Sequence, residues 1–288
     1  MTDDPEALAR QVMDRIRNEA APRLLARTVS VLVEEPPGAL TQHGTAVLLA
    51  IADSIFVVSA AHVLNDARYH PLWINPVANH ANLIPLERVD VHSTSDDKLV
   101  DFSFFKVPEP YATELVTSKI CVRLDEIEMR LPSGDWYAVL GYPTELNVFK
   151  SMELTVPTVP MYYATRLHDA AADPMADFDP KVNIALKLAL YGSGDPVTRT
   201  PSTLPDVRGM SGAGIWQLHH RHEPPLSWTV DRIRLAGMFH TRAGKSGLFQ
   251  TSSGSTAIVG VHFAHVVRTI RKAFPDLSPA IAAREGLD

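Results

Sequence analysis

The sequence predicts an all-β protein with helices at its two ends. It contains many short runs of β-branched and other apolar residues, and turn signals rich in Pro, Gly and Asp separate them. Helical periodicity is confined to the two ends of the chain. No internal repeat or linker divides the 288 residues, a length that suits one large domain or two small ones that share an interface. So many short strands are typical of a β-barrel or a sandwich.

The first predicted helix runs from Pro5 to Arg27. Its apolar residues recur at spacings of three to four, and Pro5 suits a first helical turn, whereas Pro22 interrupts or restarts the helix. We expect this segment to pack on the strands as a structural lid or to dock on another protein. The second predicted helix runs from about His265 to Ala273.

The predicted strands share β-branched or aromatic residues and are bounded by turn residues. They cover 28–33, 44–51, 54–59, 102–107, 136–140, 161–165, 182–189, 214–218, 233–239 and 257–261. The stretch 169–180, which is rich in Ala, Asp and Pro, is expected to form a surface loop.

Composition and charge exclude several classes of protein. The 27 basic and 33 acidic residues give a net charge of −6, which offers no general attraction to nucleic acid or anionic lipid. The single cysteine, Cys121, excludes an internal disulfide and a multi-cysteine zinc site. No apolar run approaches the roughly 20 residues of a membrane-spanning helix. The acidic N-terminus is unlike a secretory signal. We therefore expect a cytoplasmic protein with no nucleic-acid or membrane partner.

Three separate segments carry residues suited to acyl-transfer chemistry. His62 follows an apolar strand and two alanines, so its imidazole can face a cleft. Asp101 leads directly into an apolar strand, where a carboxylate needs hydrogen bonds that an imidazole N–H would supply. Ser211 lies between Gly209 and Gly212, where the backbone can take unusual dihedrals and present N–H groups to an oxyanion. Taken singly, each segment also fits an ordinary structural role: a core or surface histidine, a strand-start acid and a glycine-rich turn.

Taken together, the three segments resemble the trypsin/chymotrypsin-fold serine peptidases. The order His, Asp, Ser, with separations of 39 and 110 residues, is that of the chymotrypsin type. The matching motifs are Ala60-Ala61-His62-Val63, Asp101-Phe102-Ser103-Phe104-Phe105-Lys106-Val107 and Gly209-Met210-Ser211-Gly212-Ala213. Gly44-Thr45-Ala46, Gly141-Tyr142-Pro143 and Leu235-Ala236-Gly237-Met238 agree with the same family. The resemblance covers about 28–275 and is greatest to compact bacterial trypsin-like members, as in a Deg-type protease domain without its PDZ module.

For the fold, the resemblance implies two packed antiparallel β-barrels of the six-stranded type. Barrel 1 would span about 28–125 and barrel 2 about 130–264. An N-terminal helical extension over 1–27 would precede the peptidase domain (28–275), and a C-terminal helix and tail would occupy 265–288.

For function, the resemblance implies a serine endopeptidase that acts on a protein or peptide substrate and needs no metal or other cofactor. Ser211 would be the nucleophile, His62 would accept its proton, and Asp101 would orient the imidazole. The backbone N–H groups of Gly209 and Ser211 would form the oxyanion hole. The rival interpretation is a catalytically silent trypsin-fold protein used for binding or as a scaffold.

The sequence departs from the family pattern in two places near the serine. Ala213 replaces the second glycine, and Met210 stands where trypsin-like zymogens carry an aspartate that pairs with a newly cleaved N-terminus. Activation by N-terminal insertion is therefore not expected, so the oxyanion loop must be ordered from the start or by a regulatory protein partner. The resemblance also suggests residues that line the substrate groove: Pro205, Asp206, Arg208, Phe239, His240 and Thr241.

Other histidines and another fold were weighed against this interpretation. His219, His220 and His222 could bind zinc, but a solvated hairpin loop explains them better. The glycine-flanked serine also invites comparison with the elbow of α/β-hydrolases, in which His262 or His265 would complete a Ser, Asp, His order. The alternating strand–helix pattern of that fold is missing from the sequence.

Overall fold

Two curled sheets, almost entirely antiparallel, make up most of the fold. The computed structural model describes residues 5–35, 39–66, 69–76, 83–86, 89–94, 100–131, 133, 136–147, 158–176, 178–188, 192–197, 201–202, 207–218, 229–240, 248–254 and 256–285; for 5–9, 192–194, 201–202 and 248–250 it describes the backbone alone. Antiparallel pairing of this kind is unlike the parallel sheet of an α/β-hydrolase.

The strands of the first sheet are β1 (Thr28–Glu34), β2 (Leu40–Ile51), β3 (Ser54–Ser59), β4 (Leu72–Asn75), β5 (Ile84–Pro85), β6 (His92–Ser93), β7 (Ser103–Lys106) and β8 (Val122–Arg123). Their spatial order is β5-β4-β1-β2-β3-β7-β6, and β8 pairs in parallel with β2.

The strands of the second sheet are β9 (Tyr137–Gly141), β10 (Met161–Thr165), β11 (Asn183–Lys187), β12 (Gly192–Gly194), β13 (Pro201–Ser202), β14 (Gly214–Gln217), β15 (Arg234–Phe239), β16 (Leu248–Gln250) and β17 (Thr256–His262). Their spatial order is β11-β17-β15-β14-β9-β10-β12-β13, and β16 pairs with β17. Each of the ten predicted strands overlaps one of the observed strands.

The strands read as continuous apolar runs because both faces of each sheet are buried. In β2, Leu48 faces the interior of the first sheet, whereas Val47 and Leu49 face a core shared by the two sheets. In β9, Val139 and Leu140 divide in the same way between the second sheet's interior and the shared core. Successive side chains of a strand point to opposite faces, so a strand buried on both sides carries apolar residues toward both cores.

The N-terminal helical segment packs into the shared core. It consists of α1 (Pro5–Arg15), a π-helical stretch (Ile16–Ala20) and α2 (Ala21–Leu25). Val12, Ile16 and Leu24 of this segment are at most 1% exposed and join the core between the sheets. The predicted helix is thus present over residues 5–25, where it covers the junction of the two sheets.

The other helices are α3 (Ala61–Asn65), α4 (Glu109–Ser118), α5 (Phe263–Ala273) and α6 (Ser278–Glu285). The expectation that helices are confined to the two ends of the chain is wrong, because α4 lies within the first half. Only Leu115 of α4 is fully buried, so the helix has no apolar stripe that the sequence could reveal. In the part of the chain that the structure describes, no helix is both long and apolar enough to cross a bilayer.

Candidate active site

The structure brings His62 and Asp101 into direct contact at one end of the first sheet. Strand β3 ends at Ser59, which lies opposite Ser103 in β7. His62 follows β3 in the first turn of α3, and Asp101 precedes β7, so antiparallel pairing places the two side chains together. His62 Nδ1 lies 2.7 Å from Asp101 Oδ2.

The Asp101 carboxylate also holds the start of α3. Its Oδ1 accepts hydrogen bonds from the backbone N–H groups of Ala61 (2.8 Å) and His62 (3.3 Å). One carboxylate therefore orients both the ring and the main chain of His62. Because a carboxylate can only accept, Nδ1 carries the hydrogen, and Nε2 of the neutral ring is left as the basic nitrogen.

Asp101 is held in its ionised form. Burial opposes ionisation, but the hydrogen bond from His62 and the electrostatic influence of His62 and His240 outweigh it, so the pKa of Asp101 lies below its ordinary value. The His62 side chain is 34% exposed, which leaves part of the ring accessible to a substrate.

The predicted nucleophile loop, residues 207–213, is held by its carbonyl groups. Every carbonyl from 207 to 211 accepts a hydrogen bond within the protein. The donors are, in chain order, Met210 N (3.0 Å), Thr144 N (2.7 Å), Thr45 Oγ1 (2.9 Å), Ala213 N (2.8 Å) and Thr45 N (2.8 Å). Three of these five bonds come from outside the loop.

These bonds also set the direction of the Gly209 and Ser211 amides, which are predicted to form the oxyanion hole. In a trans peptide the N–H points away from the C=O of the same unit. The Gly209 N–H therefore points away from Thr144, and the Ser211 N–H points away from the amide of Ala213. This orientation is compatible with the role of oxyanion donor that the sequence predicts for both N–H groups, and that role remains a prediction.

The two glycines of the motif meet both a conformational and a spatial requirement. Gly209 and Gly212 have φ values of +83° and +89°, where other residues are strained. A Cβ on Gly209 would lie 2.5 Å from Thr144 Oγ1, and one on Gly212 would overlap the carbonyl oxygen of Thr45. Ala213, by contrast, has no positive φ and packs in the core of the second sheet, so its methyl group causes no strain.

Ser211 lies next to the strand pair that leads to His62. The residue is 3% exposed, and its carbonyl accepts the N–H of Thr45 in β2. The carbonyl of Thr45 in turn accepts the hydroxyl of Ser59, at the end of β3, at 2.6 Å. Two hydrogen bonds thus connect the loop to the segment three residues before His62.

The residues that are predicted to line the substrate groove have different surroundings. Phe239 is fully buried and His240 is 2% exposed, so neither side chain lies open to solvent, whereas Arg208 is exposed. The backbone of Phe239 bonds to Gly212 and Ala213, which joins β15 to the nucleophile loop. Pro205, Asp206 and Thr241 lie outside the described residues.

The alternative histidines are placed elsewhere or lie outside the described residues. His262 and His265 bond through Nε2 to the carbonyls of Pro180 and Lys181, at 3.1 and 2.9 Å, beside the second sheet. His219, His220 and His222 lie outside the described part of the chain. Within the described part, no three His, Cys, Asp or Glu residues cluster as a metal site would require.

Three residues of this region were not predicted as site residues. Thr45 belonged only to a supporting motif, and its contacts with the nucleophile loop were not foreseen. Thr144 supplies an amide to that loop, and His43, whose Nε2 lies 3.0 Å from Asp66 Oδ2, interacts electrostatically with His62. Burial, opposed by Asp66 and reinforced by His62, lowers the pKa of His43. No sequence pattern indicates Thr144 or His43.

No protein-family model matches the chain, and no curated protein matches its sequence. The relation of the chain to a family therefore depends on its motifs and on the geometry described above.

Proposed function

We propose that the chain is a serine endopeptidase of the trypsin-like fold, with two packed β-barrels and helices at both ends. The observation that carries the proposal is the hydrogen bond of 2.7 Å between His62 Nδ1 and Asp101 Oδ2. This pair lies at the end of the first sheet where Thr45 of β2 bonds to the Ser211 carbonyl. The substrate is a protein or a peptide, and the reaction uses side chains and backbone amides of this chain without a cofactor.

The proposed reaction begins when Ser211 Oγ attacks the scissile carbonyl carbon. His62 Nε2 takes the hydroxyl proton, and Asp101 stabilises the resulting imidazolium. The N–H groups of Gly209 and Ser211 stabilise the oxyanion of the tetrahedral intermediate. The imidazolium then protonates the leaving amine as the C–N bond breaks, which leaves an acyl ester on Ser211. Water, deprotonated by His62, hydrolyses this ester and regenerates the serine.

The geometry around Asp101 supports this division of roles. A general base must present an unprotonated nitrogen to the nucleophile, and the Nδ1 bond to Asp101 leaves Nε2 in that state. The lowered pKa of Asp101 keeps its negative charge available to the imidazolium at neutral pH. Loss of one oxyanion donor typically costs about 10²–10³ in rate, so the loop that carries Ser211 contributes to the proposed catalysis beyond supplying the nucleophile.

A fluorophosphonate probe tests the proposal, because it reacts with an activated serine and not with an ordinary hydroxyl. We expect the folded wild-type chain to take up one probe per molecule, and Ser211→Ala to take up none. Ser118→Ala, at the end of α4, serves as the matched control and should react like the wild type. A folded wild-type chain that takes up no probe would favour the alternative, a catalytically silent binding or scaffold protein.

A further inference from the structure

We propose that the Thr45 side chain is a positioning residue for the nucleophile loop, so that the fold itself holds this loop ready for reaction. In this view neither a newly cleaved N-terminus nor a partner protein is needed to order the loop. The inference rests on the proposed function, since it concerns the same serine and the same oxyanion donors.

Thr45 makes four hydrogen bonds and is fully buried. Its Oγ1 donates to the Gly209 carbonyl at 2.9 Å and accepts the Tyr142 N–H at 3.0 Å. Its N–H donates to the Ser211 carbonyl at 2.8 Å, and its carbonyl accepts the Ser59 hydroxyl at 2.6 Å. Because the Tyr142 amide can only donate, the single hydroxyl hydrogen of Thr45 must point to Gly209.

The hydroxyl acts at the position where the loop is least constrained by its own residues. Gly209 has a φ of +83°, and a glycine can rotate its flanking peptide units at little cost. The peptide before Gly209 is fixed by the bond from Thr144 N to the Arg208 carbonyl. The peptide after it is fixed by Thr45 Oγ1. The bond from Thr144 therefore sets the direction of the Gly209 N–H, and the Thr45 hydroxyl fixes the next peptide unit, which joins Gly209 to Met210 and leads to the Ser211 amide.

Thr45 also connects the two halves of the proposed machinery. Its backbone N–H holds the Ser211 carbonyl, and its carbonyl holds Ser59, three residues before His62. The loop that carries Ser211 and the segment that leads to His62 are thus both hydrogen-bonded to Thr45 in β2. A hydroxyl in this place can position the loop, whereas a methyl group of the same shape can only fill the space.

Two pairs of variants isolate the hydroxyl. In the first pair, Thr45→Val is compared with the wild type and lacks the hydroxyl at nearly constant shape. In the second pair, Thr45→Ala is compared with Thr45→Ser; neither has the threonine methyl group, and only the serine has a hydroxyl. Thr28→Val is the matched control, because Thr28 is also fully buried in the first sheet and donates to the Leu24 carbonyl at 2.8 Å. The measurements are kcat and KM on a peptide ester and the rate of fluorophosphonate labelling.

We expect kcat and the labelling rate to fall roughly 10- to 100-fold in Thr45→Val and Thr45→Ala, with KM changed by less than about threefold. Thr45→Ser and Thr28→Val should remain within about threefold of the wild type. A Val variant that reacts like the wild type would overturn the inference. Should that variant fail to fold, equal rates in the Ser and Ala variants would overturn it.

Amide hydrogen exchange in residues 207–213 separates this inference from the proposed function. We expect faster exchange at the Gly212 amide, which donates to the Phe239 carbonyl, in the Val and Ala variants but not in the Ser variant. A wild-type chain that takes no probe would refute the proposed function, and the exchange result would still decide the role of Thr45. Exchange that is unchanged in both the Val and the Ala variant would refute that role.

Discussion

Replacing Glu126 by glutamine should lower the free energy of unfolding, because Glu126 ties the N-terminal helical segment to the chain between the two sheets. Glu126 ends a short 3₁₀ helix, Leu124–Glu126, and is 8% exposed. Its Oε1 accepts hydrogen bonds from Arg27 (2.7 Å) and Arg23 (3.2 Å), and its Oε2 accepts the Arg123 N–H (3.1 Å). Arg27 is itself only 5% exposed.

The expected loss is about 3 kcal/mol. Removal of one partner from a buried ion pair costs about 3–5 kcal/mol, because the remaining charge stays buried without its counter-charge. The glutamine carbonyl can still accept a hydrogen bond from an arginine, which recovers about 1 kcal/mol. For a chain of 288 residues this loss corresponds to a decrease in Tm of about 5 °C.

Urea denaturation followed by tryptophan fluorescence measures the loss, since Trp136 and Trp216 are at most 2% exposed. Asp125→Asn is the matched control: it also removes one acidic charge, but its ion pair with Arg123 is more than 60% exposed on both sides. The control should cost less than about 1 kcal/mol. A Glu126→Gln variant that is as stable as the control would refute the reasoning.

The same substitution has a characteristic pH dependence. Burial opposes the charge of Glu126, but the Arg123 amide and the arginines outweigh it, so the pKa lies below the ordinary value of 4.5. A carboxylate with a lowered pKa stabilises the folded state above its unfolded pKa and loses that contribution as the pH falls through its folded pKa. The stability gap between wild type and Glu126→Gln should therefore narrow below about pH 4.5. A gap that stays constant from neutral pH down to complete protonation of the carboxylates would contradict this assignment.

Three further predictions concern Asp101, Gly212 with Gly254 as its control, and Lys119. Asp101→Asn should slow fluorophosphonate labelling by about 10³–10⁴, because the amide no longer selects the Nδ1–H tautomer of His62; labelling within tenfold of wild type would argue against that role. Gly212→Ala should lower the free energy of unfolding by at least about 4 kcal/mol, since its Cβ would overlap backbone, whereas Gly254→Ala, with a φ of +82° but open space, should cost about 1–2 kcal/mol in the same urea titration. Burial lowers the pKa of Lys119 from 10.5 to about 8, so the charged side chain destabilises the folded state below pH 8. The wild type should therefore gain about 3 kcal/mol of stability relative to Lys119→Met as the pH rises from about 8 to 10.5, and a difference that does not change with pH would refute this.

The strands were predictable because a strand that is buried on both faces contains a long run of apolar residues. Runs such as 46–51 and 136–140 consist of apolar residues, and they contribute to β2 and β9, which lie between two cores. Strands of two residues, such as β5 and β6, are too short to produce a pattern. Helix α4 was missed because a single fully buried residue, Leu115, gives no helical periodicity.

The candidate site was predictable only in part, for a related reason. His62, Asp101 and the Ser211 loop have local signatures, namely small residues after a strand, an acid before a strand and glycines around a serine. The contacts that hold them in place join residues far apart in the chain. Thr45 bonds to Gly209 across 164 positions, and Arg27 bonds to Glu126 across 99. Such pairings depend on how the two sheets pack, which local sequence does not encode.

Pre-steady-state hydrolysis of an activated ester tests the central claim most directly, because it counts acyl-enzymes as they form. We predict a rapid burst of released alcohol that equals the concentration of folded chain, followed by slower turnover. The burst should disappear in Ser211→Ala and in His62→Ala. Ester hydrolysis without a burst, at a rate that neither substitution changes, would contradict catalysis by these residues.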